Sequence, residues 1–224
     1  MLSALDADAA LASLKRLTGE APGRRLASVT VELSEPIDPA AAVFASRLAS
    51  DRWFCWEQPD AGFALAALGS AHAVVSRGPT RFADVGRECA EIARGRVSVE
   101  PSDAPRGAGP VWVGGFAFAP NGCSTPQWSS FPPAIAVLPE LAIVRDGDRT
   151  FLTLATLSGD PERLEARLQA LRPAELPMLD PHPTGAVSIR SVEPPERYES
   201  AVAAATERIR AGALEKTVLA REVI

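Results

Sequence analysis

One stretch constrains the fold more than any other: two apolar runs, 134–144 and 150–157, flank Asp146-Gly147-Asp148. An Asp-Gly step between β-prone runs supplies the positive φ that a tight hairpin turn needs, so the runs read as neighbouring antiparallel strands. A hairpin of this kind argues against a strictly parallel, doubly wound sheet. Helical patterns are interspersed with the strands, which makes α+β the expected fold class.

The remaining elements follow from the same periodicities. Leu5, Ala9, Leu11, Leu14 and Leu17 form an approximate helical stripe. Val29, Val31 and Leu33 alternate with polar residues as a half-buried strand does. Asp38 before Pro39 predicts a capped short helix to Leu48. Strands are predicted at 52–58 and 62–68 around Pro59-Asp60-Ala61-Gly62, with 71–76 pairing back across Gly69-Ser70. Thr80 is the expected cap of a helix over 80–94, and 95–109 reads as a Gly/Pro-rich connection. The 111–118 strand contains Gly114-Gly115, paired glycines that signal a bulge or a close backbone approach. A helix is expected over 160–171. Pro173, Pro177, Pro181, Pro183, Pro194 and Pro195 then preclude one regular element, although 186–192 has room for a short strand. The expected division is an amino-terminal α+β subdomain at 1–193 and a second piece at 194–224. The second piece is a helix with Tyr198, Val202, Ala205 and Ile209 on one face, stopping near Gly212, followed by a strand.

Composition excludes some functions. The net charge is −5, which gives no basic footprint for a nucleic-acid backbone. No run approaches the roughly 20 apolar residues that span a bilayer. Acids near the amino terminus, where a signal peptide carries positive charge, make a cytoplasmic location the expectation. Cys55, Cys89 and Cys123 lack metal-ligand spacing and read as reduced, structural thiols. Trp53, Trp56, Trp112 and Trp128 read as core or domain packing. His72 and His182 are isolated, and neither has the setting of a base or a ligand.

Positive charge is carried by 21 arginines and only two lysines, Lys15 and Lys216. Arginine stays protonated in proteins, whereas a lysine amine can be brought to lose its proton and act as a base. In an extended strand Lys216, Val218, Ala220 and Glu222 share one side. That side sets the amine beside small apolar groups, which favours the neutral form. A solvated lysine at a strand entrance is the bland alternative, and Arg221, on the opposite side, reads as structural.

The run Glu215-Lys216-Thr217-Val218-Leu219-Ala220-Arg221, after a helix carrying Tyr198, Val202, Ile209 and Gly212, resembles the start of the chorismate-binding region of isochorismate synthases. Trp53-Phe54-Cys55-Trp56-Glu57-Gln58-Pro59, Gly114-Gly115-Phe116-Ala117-Phe118 and Phe131-Pro132-Pro133-Ala134 follow the order found in the amino-terminal half of the same enzymes. The resemblance covers essentially the whole chain. It implies a chorismate-utilising, anthranilate-synthase-like sandwich of mixed sheets with outer helices, of which this is the amino-terminal half.

That resemblance also implies chemistry. Lys216 aligns with the base that activates water for attack at C2 of chorismate. A glutamate protonates the departing C4 hydroxyl, and Mg2+ holds a substrate carboxylate. In the longer relatives these groups follow the lysine strand, so the resemblance places no metal ligand and no substrate-binding residue on this chain. A truncated chain that is inactive alone is the expectation. Anthranilate synthases carry glutamine at the lysine position, which separates this chain from them. Salicylate synthases keep the lysine and remain an alternative, as does a non-catalytic binding module or shortened paralogue that pairs with a separate carboxy-terminal chain. Menaquinone and siderophore pathways begin with the same isomerisation and are not distinguished.

Overall fold

A computed structural model of the protein describes residues 4–20, 25–157, 161–172, 185–186 and 188–224. The chain divides into two compact units, Met1–Pro177 and Met178–Ile224. The first is α+β, built on a six-stranded and a three-stranded sheet.

In the first unit the hairpin forms the centre of the larger sheet. Strand β8 (Leu141–Asp146) pairs antiparallel with β9 (Arg149–Thr156), and Gly147 takes φ 59° in the two-residue turn between Asp146 and Arg149. Around this pair lie β1 (Ala27–Glu32), β2 (Trp53–Gln58), β3 (Phe63–Leu68) and β5 (Val97–Val99), in the order β2-β3-β8-β9-β1-β5. Only β1 with β5 is parallel.

Helices α1 (Ala4–Glu20), α2 (Pro39–Ser46) and α4 (Pro161–Ala170) cover one face. Leu14, Val43 and Leu164 pack there on Ile143, Leu152 and Leu154 in one apolar cluster. The other face is closed by the connection before Trp112. Gly107, at φ 90°, lies against the Phe63 ring and Val144, and the Gly109 N–H donates to Thr153 Oγ1 at 3.0 Å. Thr153 also shares a hydroxyl hydrogen bond with Thr30, so both buried threonines are satisfied. This second cover explains why β9 is buried on both sides, with Phe151 at 0% exposure. Asp38 caps α2 as expected, its carboxylate accepting from Ala41 N. Thr80 does not cap α3 (Arg81–Arg94); its hydroxyl donates to the Asp84 carboxylate at 2.7 Å.

The strand pairings correct three sequence expectations. The run expected as one strand over 134–144 is two strands in different sheets, because Pro139 lacks an N–H and Glu140 turns inward at 5% exposure. Its first half, β7 (Ala134–Leu138), lies between β4 (His72–Ser76) and β6 (Val113–Phe116). Strand β4 therefore does not pair back on β3. Gly69, at φ 80°, turns the chain, and Ala71 N donates to Leu138 O. The expected connection over 95–109 hides β5, whose three residues are too few to show alternation.

Gly114 illustrates the close approach anticipated from the paired glycines. A Cβ there would collide with the backbone carbonyl of Ile135 on β7, whereas at Gly115 it would meet nothing within 4 Å. Gly114→Ala should cost about 1–3 kcal/mol through forced separation of β6 from β7. Gly115→Ala should be close to neutral, and urea denaturation of the two variants measures the difference.

A buried ionic cluster holds α4 to the sheet corner. Arg167 donates two hydrogen bonds to the Asp51 carboxylate, at 3.0 and 2.9 Å. Its Nε lies 2.7 Å from Glu140, which Arg163 Nε also approaches at 2.7 Å. The Glu140 carboxylate occupies the space beside Gly69 that a side chain would need.

The second unit contains α5 (Pro195–Arg210), which ends before Gly212 at φ 73°. Arg190 and Ile224 exchange backbone hydrogen bonds, and Val192 N donates to Glu222 O. These bonds join 190–192 to the end of the chain. Ser191 and Val223 form an isolated antiparallel bridge. Among the described residues, no helix is long and apolar enough to cross a membrane.

Candidate functional site

Lys216 lies in the second unit, in a segment without regular strand structure. The strand expected over 216–223 forms no ladder among the described residues beyond the isolated bridge of Val223 with Ser191. Unpaired backbone of this kind forms hydrogen bonds with solvent rather than a sheet. Lys216, Val218, Ala220 and Glu222 are all exposed, Val218 at 83%, while Leu214 and Leu219 are half-buried. The apolar enclosure expected around the amine is thus not supplied by its own neighbours in sequence. Arg221 is exposed as well.

The first unit carries a groove of about 990 Å³, walled by Trp53, Phe54, Gly115, Trp128, Phe131 and Val137. Three features of the sequence build it. Gly114 and Gly115 leave the middle of β6 without side chains where it lines the groove. The loop after β6 brings Trp128 against Phe131, with ring centroids 5.8 Å apart. The chain entering β2 adds Trp53, whose ring meets Phe44 edge-on.

Arg81 anchors the root of the loop. It is buried at 3% exposure, donates to the carbonyls of Ala117 at 2.7 Å and Phe118 at 3.0 Å, and stacks on Phe82. Phe82 in turn stacks on Phe116, with centroids 4.6 Å apart. Sequence reasoning missed Arg81, since one arginine among 21 gives no compositional signal.

Of the four tryptophans, expected to serve core or domain packing, three lie outside the core: Trp53, Trp56 and Trp128 are 49%, 54% and 60% exposed. Only Trp112 joins the interior clusters, where it meets His72 edge-on. His72 also approaches Glu88, at 3.5 Å. His182 lies outside the described residues. All three cysteines are free. Burial pushes the Cys55 and Cys89 thiols up from their ordinary range, which suits structural rather than nucleophilic roles. The groove's one acidic lining group, Asp51, is engaged by Arg167, which holds its carboxyl below the usual range.

The described residues contain no cluster of three or more His, Cys, Asp or Glu able to hold a metal ion.

Two sheets packed with outer helices in this order define a known class of fold. The structure matches that of MenF, the menaquinone-specific isochorismate synthase from Escherichia coli, with a TM-score of 0.55 at 17% identity. The match covers 89% of this chain and 41% of MenF. Residues 12–224 match the family described as chorismate binding enzyme, and the chain belongs to that family. A curated relative, the salicylate biosynthesis isochorismate synthase of Pseudomonas aeruginosa, is 28% identical over 195 residues, which are 84% of this chain and 39% of the relative. The chain therefore spans about two fifths of the length of the proteins it matches.

Proposed function

We propose that this chain is the amino-terminal part of an isochorismate synthase, contributing to the conversion of chorismate to isochorismate. The observation that carries the reading is the family match from residue 12 to residue 224, which takes in Lys216. In this reading Lys216 takes a proton from water as the water attacks C2. A carboxylic acid outside the 224 residues protonates the departing C4 hydroxyl, since one group must accept a proton while another gives one.

The exposed setting of Lys216 supports a shared site. A lysine base needs a desolvated amine, and the missing walls would come from the polypeptide that makes up the rest of the longer relatives, in the same chain or a separate one. The purified 224-residue chain should therefore convert no chorismate. Chromatography of the reaction would overturn this if it showed isochorismate formed by the chain alone and lost on Lys216→Ala. Salicylate with released pyruvate, in a complemented reaction, would select the salicylate synthase alternative. A chain that neither turns over chorismate nor supports turnover when complemented would be the non-catalytic module.

A further inference from the structure

We infer that the open edge of β2 pairs with the same edge of a second copy of this chain, forming a two-fold symmetric dimer. This is independent of the catalytic reading. Strand β2 is the last strand of the six-stranded sheet on its side. Gly69 N donates to Arg52 O, which fixes the phase of the β2–β3 ladder. Arg52, Phe54, Trp56 and Gln58 face β3, and the backbone groups of Trp53, Cys55 and Glu57 point to the open side.

Exposed edges are ordinarily blunted by lysine, proline, a bulge or an inward charge. The edge Trp53-Phe54-Cys55-Trp56-Glu57-Gln58 has no lysine or proline and pairs with β3 in unbroken register. Its tryptophans and the neighbouring Phe44 are 40% to 54% exposed. An unguarded, apolar edge is a template for another strand.

Self-complementarity selects the second copy as that strand. An antiparallel pairing centred on Cys55 sets Cys55 opposite Cys55, and Trp53 opposite Glu57 of the second copy. It uses every outward-facing residue of β2. On the opposite face it sets Phe54 beside Trp56 of the second copy, twice by symmetry, the aromatic cross-strand pairing that stabilises sheets. Shifting the register one way sets Asp51 opposite Glu57, like charges; shifting it the other way uses Pro59, which has no N–H.

Charge fits the same register. The Arg47 guanidinium lies 3.4 Å from the Phe44 ring centroid and 5.3 Å from that of Trp53. Glu57 lies on β2 itself, and Arg47 reaches the edge through the ring of Trp53, the strand's first residue. Neither has an ion-pair partner among the described residues. Because Trp53 faces Glu57 of the second copy, each Arg47 is brought to the carboxylate across the dyad.

Sedimentation equilibrium at micromolar concentration tests the interface. The chain should have the mass of two copies. Glu57→Pro removes an outward N–H without touching the β3 ladder and should leave a monomer with an unchanged circular dichroism spectrum. Glu57→Arg should weaken the dimer at least about tenfold, about 1.4 kcal/mol. Arg47→Glu combined with Glu57→Arg should restore it, as a merely structural role of either residue would not. A monomeric wild type, or association that survives both Glu57→Pro and Glu57→Arg, overturns the inference.

Discussion

Replacing Arg167 by methionine should lower the unfolding free energy by about 3–5 kcal/mol, the cost of removing one partner from a buried ion pair. The substitution keeps much of the side-chain length but strands the Asp51 and Glu140 carboxylates, whose side chains are 9% and 6% exposed. Arg163 pairs with Glu140 from a largely exposed position, and its effect on Asp51 is the smallest of those that lower that carboxyl, so it compensates only in part. Urea denaturation monitored by tryptophan fluorescence reads the loss, since the cluster adjoins the groove that holds Trp53 and Trp128.

The same cluster sets a pH dependence. Hydrogen bonds from Arg167 depress the folded pKa of Asp51 below its unfolded value of about 3.9. A depressed carboxylate contributes stability that is fully present above the unfolded pKa. The contribution is lost as pH falls through the folded pKa, because protonation then breaks the pair. Wild type should therefore lose stability more steeply below about pH 4 than Arg167→Met, which has little of this contribution left to lose. Parallel curves for the two proteins in acid would contradict the assignment.

The second large effect concerns Lys216. In an assembly that turns over chorismate, Lys216→Ala should lower kcat by about 10²- to 10⁴-fold, the usual contribution of a positioned general base. KM should change little, because the amine acts on water and not on the bound acid. Small primary amines added to the alanine variant should restore part of the rate, as a purely structural lysine would not allow. Lys216→Arg should fail like alanine, since a guanidinium does not give up its proton. Full activity of either variant would remove Lys216 from the mechanism.

What could be read from the sequence was local. The Asp146-Gly147-Asp148 turn, the Asp38 cap, the stop at Gly212 and the close approach at Gly114 each depend on the conformational range of one or two residues. Backbone sterics express that range wherever the residues sit. The motifs around Lys216 and Trp53 were equally legible, and the family match bears out the resemblance they suggested.

Tertiary structure decided what depends on partners distant in the chain. Periodicity does not say which sheet a strand joins, so β4 and β7 were placed by their pairing with each other, and β5 by its pairing with β1. Nor does a charged residue announce its own burial. Arg81 and Arg167 are set apart from the other arginines only by the carbonyls and carboxylates that folding gathers around them. Lys216 marks the same division: its identity as a candidate base is a property of the sequence, whereas the desolvation a base needs must come from other elements packed around it.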